Sequence, residues 1–132
     1  GTPERPGLVL SLMPKAGLRC DGLVFRIAAG LVEQETQILW RREMIRGGYA
    51  PSLLTVDTPQ GAVRALAFVA RADNPSYVHD LSLDETADIV ATASGHLGHN
   101  CDYLIQLAHQ LQALGLVDPY INDLLERVRQ RL

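Results

Sequence analysis

This sequence has few cysteines and no long apolar run. Its 132 residues include two cysteines, Cys20 and Cys101, which do not make the dense, even-numbered pattern of a secreted disulfide scaffold. No apolar run approaches the ~20 residues that a membrane-spanning helix requires. These absences predict a cytoplasmic, reduced protein that has no membrane partner.

Basic residues are also too few to indicate nucleic-acid binding. The formal net charge is −3; residues 1–66 carry 8 basic and 6 acidic side chains, and residues 67–132 carry 4 and 9. Nucleic-acid binding requires a concentrated basic surface, and neither half has one. We therefore expect no nucleic-acid partner.

Internal repeats, low-complexity tracts and interdomain linkers are missing as well. The chain is 47% hydrophobic over 132 residues, which is enough to bury a core without disulfide staples. The sequence therefore predicts a single domain that spans residues 1–132.

Short apolar, β-branched runs in the N-terminal half predict strands. Residues 8–13 and 22–27 are each bounded by turn residues, and we expect them to pair as a hairpin. Residues 31–44 are mostly good helix formers and predict a helix that ends at a glycine pair. Residues 53–56 and 63–70 predict two further strands, the second of them central in the sheet.

Helix signals dominate the C-terminal half. Ser82 and Glu85 have the spacing of a capping box ahead of an apolar stripe. A second helix is predicted from Asn100 until Gly115 stops it, and Asp118-Pro119 is an N-cap and first-turn pair for a third. The apolar positions on these helices recur at helical spacing, so they predict a packed core.

The most informative candidate for chemistry is Glu43, which lies in the last turn of the predicted helix just before Gly47-Gly48-Tyr49. A carboxylate there is disfavoured by the helix dipole by roughly 0.3–1 kcal/mol at a surface, so it needs an offset. Pairing with Arg41, Arg42 or Arg46 would provide one. On the residues alone, a solvated ion-pair cluster is the better explanation of Glu43.

Four short segments change this balance because of their order along the chain. They are Gly-Thr-Pro-Glu-Arg-Pro-Gly at 1–7, Arg-Arg-Glu followed by Gly-Gly-Tyr within 41–49, Asn-Pro-Ser-Tyr at 74–77, and Ser-Gly-His-Leu-Gly-His-Asn-Cys-Asp-Tyr-Leu at 94–104. In this order they resemble the ChaC-type γ-glutamylcyclotransferases, which act on glutathione. The resemblance implies an α+β fold in which helices flank a small mixed or antiparallel β-barrel and the C-terminal half is helical.

The resemblance also implies roles for individual residues. Glu43 would be the general acid/base that lets the α-amino group of a γ-glutamyl residue attack its own γ-carbonyl, giving 5-oxoproline and Cys-Gly from glutathione without a cofactor. Tyr49 and Tyr77 would line the substrate pocket, although packing with the hydroxyl in water explains a tyrosine equally well. The alternative function is a non-catalytic regulatory or binding module, in line with the family's older description as cation-transport regulators.

His96, His99 and Cys101 lie within six residues, which invites a zinc hypothesis. The segment lacks the second ligand pair of structural zinc sites and has no His-Glu-x-x-His helix, so we expect no metal. In the resembling family it is a helix junction beside the active site. Asn100 is then predicted to cap the following helix, and Tyr103 to pack or hydrogen-bond across the junction.

Enzymes of this type carry an N-terminal strand and a Tyr-Gly-Ser-Leu-type loop upstream of the segment that matches residues 1–7. The backbone amides of that loop hold the α-carboxylate of the substrate. This sequence begins at Gly1, without an initiator Met and without the pattern of a signal peptide. We therefore expect the first strand and the substrate loop to be absent, which leaves an open sheet edge available for self-association.

The chain of 132 residues is thus expected to be inactive on glutathione even with Glu43, Tyr49 and Tyr77 correctly placed, because substrate positioning carries much of the catalysis in a unimolecular cyclisation. It is also expected to self-associate through the open edge. Cys-Gly release and sedimentation, measured beside the same chain extended by the family's N-terminal strand and loop, test the two expectations. Equal activity would contradict the first, and a strictly monomeric chain would contradict the second.

Overall fold

The middle of the chain forms a helix and a long β-hairpin. The computed structural model describes every residue from Gly1 to Leu132, and the chain separates into two units. Residues Ser11–Val78 make up the first, which we call the hairpin unit. Gly1–Leu10 together with His79–Leu132 make up the second, which we call the helical unit.

In the hairpin unit, a short 3₁₀ turn, Ala29–Leu31, leads into helix α1, Val32–Met44. Strands β1, Tyr49–Thr58, and β2, Gly61–Ala70, then pair antiparallel along their whole length. The predicted helix and both predicted strands are confirmed, and β1 is longer than expected because it begins directly after the glycine pair. The sheet has two strands, so β2 is not a central strand, contrary to the prediction. On the edge away from β1, Val69 of β2 forms only a single parallel bridge, with Leu12.

The predicted hairpin between residues 8–13 and 22–27 is wrong, and no barrel forms. Leu8 and Leu10 direct backbone groups to side chains of Asn100 and Tyr103, and only Leu12 bridges to a strand. In residues 22–27 the side chains of Leu23, Val24 and Phe25 are exposed, Phe25 by 79%. An apolar run specifies a strand only when a neighbouring strand completes its ladder. The structure is therefore α+β with two small antiparallel sheets.

The helical unit contains three helices around one apolar core. Helix α2 spans Leu83–Thr92, α3 spans Asn100–Ala113 and α4 spans Pro119–Arg129. Two-residue strands, β3 at Ser94–Gly95 and β4 at Gly98–His99, form the turn between α2 and α3. The buried side chains come from all three helices: Ala87, Val90, Cys101, Leu104, Ile121, Leu124, Leu125 and Val128.

The predicted boundaries of α2 and α4 are confirmed by their capping hydrogen bonds. The Ser82 hydroxyl accepts from the Glu85 N–H, and the Glu85 carboxylate accepts from the Ser82 N–H (2.8 Å). Hydrogen bonding of the Glu85 carboxylate to the Ser82 backbone N–H, and secondly to the Ser82 side chain, lowers the pKa of Glu85. The Asp118 carboxylate accepts from the Ile121 N–H (3.2 Å). Each bond satisfies an N–H group that the first turn of a helix leaves without a partner. None of the helices is long and apolar enough to cross a membrane.

An ion-pair network joins the outer faces of α2 and α4. Asp84 accepts from Arg127 (2.7 Å) and from Arg131 (2.9 Å), and Asp88 also accepts from Arg131. Hydrogen bonds from the two arginines lower the pKa of Asp84, and the bond from Arg127 has the larger effect. The two carboxylates, with Asp88 contributing more, raise the pKa of Arg131. Networks of this kind contribute more to stability than isolated surface pairs.

Asp84→Asn is expected to lower the thermal midpoint at neutral pH. Because the folded-state pKa of Asp84 lies below its unfolded value, its stabilising effect is complete above about pH 3.9 and is lost as the pH falls through the folded value. The midpoints of the variant and the parent chain should therefore converge in acid. Asp123→Asn, an exposed aspartate of α4 outside the network, is the control. A constant difference at every pH would contradict the electrostatic origin.

Candidate active site

Glu43 lies in the last turn of α1, where the sequence places it. Its side chain is 23% exposed, and Oε1 accepts a hydrogen bond from Nε of Arg42 (3.0 Å). Arg42 is the one arginine of the predicted cluster that pairs with Glu43, and its own side chain is 74% exposed. The pair is therefore screened by solvent. Glu43 itself is half-buried.

The turn after Glu43 is fixed by backbone hydrogen bonds. The Gly47 N–H donates to the carbonyl of Met44 (3.1 Å), which ends α1, and Gly47 has a φ of +64°, a left-handed conformation that favours glycine. The carbonyl of the next residue, Gly48, accepts from the Arg71 N–H (2.9 Å). The helix end is thereby joined to the residue that follows β2.

Tyr49 is the first residue of β1 and pairs with Ala70, the last residue of β2. Tyr77 lies seven positions beyond Ala70, at the end of the Asn74-Pro75-Ser76-Tyr77 turn. Its N–H donates to the Asn74 carbonyl (2.9 Å), and its hydroxyl contacts the sulfur of Met13. Both tyrosines are half-buried. The structure therefore brings the segments that carry Glu43, Tyr49 and Tyr77 to the same end of the hairpin.

Two contacts at this end of the hairpin were not predicted from the sequence. The Asn74 side chain donates from Nδ2 to the Gly47 carbonyl (3.0 Å), and Met13 lies against the Tyr77 hydroxyl. The Asn-Pro pair signals a turn, but a side chain that binds a distant backbone carbonyl leaves no pattern in the sequence. Met13 belongs to the run that was expected to form a strand.

The segment with two histidines lies in the helical unit. His96 is in the turn between β3 and β4, His99 ends β4, and Cys101 is buried in the first turn of α3. Throughout residues 1–132 no three His, Cys, Asp or Glu side chains are grouped so that they could hold a metal ion.

Asn100 does not cap α3, contrary to the prediction. The N-cap residue is His99, which makes no capping hydrogen bond with its side chain. The Asn100 side chain instead accepts from the Leu8 N–H (2.6 Å) and donates to the Leu8 carbonyl (2.8 Å). Its amide thus makes the two backbone hydrogen bonds that a neighbouring strand would otherwise make. Tyr103, expected to pack or hydrogen-bond, accepts from the Leu10 N–H through its hydroxyl (3.2 Å). The extended backbone at residues 8–10 offers a donor and acceptor pair that competes successfully with capping.

A model of the family described as "ChaC-like protein" matches residues 1–131 of this sequence. The chain therefore belongs to the ChaC-like family. It is 39% identical over 133 residues to the glutathione-specific γ-glutamylcyclotransferase of Escherichia coli, covering 100% of this chain and 57% of that protein. It is 35% identical to glutathione-specific γ-glutamylcyclotransferase 1 of Danio rerio, covering 82% of this chain and 57% of the relative. The chain thus spans 57% of the length of these two relatives.

Solved structures are similar in fold. A crystal structure of a glutathione-specific γ-glutamyl cyclotransferase from yeast matches 80% of this chain and 57% of its own with a TM-score of 0.61 at 22% identity. A selenomethionine-labelled crystal structure of that description matches 79% of this chain and 56% of its own with a TM-score of 0.67 at 21% identity. At such identities the similarity establishes the fold.

Asn100→Ala is expected to lower the free energy of unfolding by about 1–3 kcal/mol, because the Leu8 N–H and carbonyl would lose their partners in a part-buried location. Tyr103→Phe removes one exposed bond, to Leu10, and should have a smaller effect. Urea unfolding of both variants measures the difference. An Asn100→Ala variant as stable as the parent chain would mean that water replaces the amide at no cost.

Proposed function

We propose that the gene product containing this chain is a glutathione-specific γ-glutamylcyclotransferase and that Glu43 is its general acid/base. The observation that carries the proposal is the placement of Glu43: half-buried at the end of α1, it immediately precedes the turn joined to β2. Membership of the ChaC-like family and the identity of 39% with the Escherichia coli enzyme support the choice of substrate.

The reaction is an intramolecular aminolysis. The α-amino nitrogen of the γ-glutamyl group attacks the γ-carbonyl carbon, a C–N bond closes a five-membered lactam, and the C–N bond to the cysteine nitrogen breaks. The products of glutathione are 5-oxoproline and Cys-Gly. Glu43 takes the proton that the attacking nitrogen loses and returns it to the leaving nitrogen, so the proton balance closes on one carboxylate.

The remaining requirement is to fold a flexible substrate so that its two ends meet. Reacting groups held in an aligned geometry gain a large effective molarity, and in this proposal the half-buried Tyr49 and Tyr77 contribute to that alignment. The Tyr77 hydroxyl lies against the sulfur of Met13.

A non-catalytic binding module of the same fold is the second candidate. The observation that favours it is the Arg42–Glu43 ion pair (3.0 Å), because a glutamate whose task is to neutralise an arginine needs no role in catalysis. The two candidates differ in what each substitution does. An ion-pair role makes Arg42 and Glu43 equally important for stability, and a catalytic role makes Glu43 alone essential for turnover.

Glu43→Gln in the gene product that contains this chain is expected to keep the fold and to reduce 5-oxoproline formation by ~10²–10⁴-fold, because the amide cannot accept and return a proton. Glu33→Gln, the same change at an exposed position of α1, is the matched control and should retain activity. Near-normal turnover by Glu43→Gln would remove the catalytic assignment. Absence of 5-oxoproline formation by the unsubstituted protein, together with equal destabilisation by Glu43→Gln and Arg42→Gln, would favour the binding module.

A further inference from the structure

Asn74 organises the turn that carries Tyr77. Its N–H donates to the Arg71 carbonyl (3.1 Å), and its own carbonyl accepts from the Tyr77 N–H (2.9 Å). Its side-chain Oδ1 accepts from the Ser76 N–H (2.8 Å). This last bond is an Asx turn, in which an asparagine side chain imitates a backbone carbonyl. The direction of the chain entering Tyr77 is therefore set by Asn74.

The same side chain reaches the turn that follows Glu43. Nδ2 of Asn74 donates to the Gly47 carbonyl (3.0 Å) across a separation of 27 residues, in a part-buried location. A Cβ added to Gly47 would lie 4.0 Å from this nitrogen, so the two residues are in close contact. Next to it, the Arg71 N–H donates to the Gly48 carbonyl (2.9 Å). The two bonds hold both glycine carbonyls of the Gly47-Gly48 turn.

Only an amide at this position performs both tasks. The Asx turn needs an acceptor one atom beyond Cγ, and the Gly47 carbonyl needs a donor at the same distance. Aspartate would keep the acceptor and place a second oxygen against the Gly47 carbonyl, which repels it. Serine would keep at most one of the two bonds, and alanine would keep neither.

We infer that Asn74 is a positioning residue that fixes the turn after Glu43 against the turn that carries Tyr77. The inference rests on the proposed function, since its consequence is the alignment of a general acid/base with a residue that contacts substrate. Asn74 acts through these two residues and has no contact with the reacting atoms. In a cyclisation that depends on alignment, a displacement of about 1 Å can cost 10²-fold in rate.

The decisive variant is Asn74→Asp in the gene product that contains this chain, because it breaks the bond to Gly47 and keeps the bond to Ser76. We expect its kcat for 5-oxoproline formation from glutathione to fall by about 10- to 100-fold, with a smaller change in KM. Asn122→Asp, the same change at an exposed position of α4, is the matched control and should leave turnover unchanged. An Asn74→Asp enzyme with the kcat of the unsubstituted enzyme would overturn the inference.

A second comparison separates positioning from a general loss of structure. If Asn74 acts through the turn that follows Glu43, Asn74→Asp should reduce kcat by a smaller factor in a Glu43→Gln background than in the unsubstituted enzyme, because residues in one network are not additive. Strictly additive losses would mean that Asn74 affects turnover independently of Glu43, and would overturn the inference.

Amide hydrogen exchange tests the geometry without any assay of turnover. In Asn74→Asp the N–H groups of Gly47 and Arg71 should exchange faster, since their turn has been released, and those of Ser76 and Tyr77 should keep their protection. Unchanged exchange at Gly47 and Arg71 would overturn the inference. If the unsubstituted protein forms no 5-oxoproline, the proposed function fails, and the exchange rates alone then decide whether Asn74 joins the two turns.

Discussion

The antiparallel pairing of β1 with β2 is the constraint on which the candidate site depends. The pairing runs from Thr58 and Gly61 at the closed end to Tyr49 and Ala70 at the open end. Because the register is fixed along the whole ladder, the residue before β1 and the residue after β2 must be neighbours. Helix α1, which carries Glu43, ends shortly before β1, and the turn that carries Tyr77 follows β2. Segments far apart in sequence are thus brought to one end of the hairpin by strand register.

The helices are predictable from the sequence because their signals are local. Ser82 with Glu85, and Asp118 with Pro119, carry within four residues all the groups that the first turn needs. Strands depend on partners elsewhere in the chain, so residues 22–27 have strand-like composition and yet form no strand. The same reason explains why the N-cap prediction for Asn100 is wrong. Asparagine is a common N-cap residue, but here its side-chain amide is hydrogen-bonded to the backbone of Leu8.

The candidate site likewise has some features that can be predicted from the sequence and others that depend on partners elsewhere in the chain. The family resemblance implies roles for Glu43, Tyr49 and Tyr77, and the hairpin of β1 and β2 brings the segments that carry them to one end. The bond between Asn74 and Gly47 is not predictable in this way, because its acceptor is a backbone carbonyl and every residue has one. Its geometry arises only after the turn and the strand register are both in place.

The amide of Asn100 has a consequence for the glycine-rich segment at residues 1–7. A Cβ at Gly7 would lie 2.7 Å from Oδ1 of Asn100, closer than such atoms approach one another, and one at Gly95 would lie 2.3 Å from the carbonyl oxygen of Gly1. Backbone here packs directly on backbone or on a fixed side chain, with no flexible group to give way. A side chain at position 7 therefore requires the Asn100 amide to move, and that movement would break the two hydrogen bonds by which the amide holds Leu8.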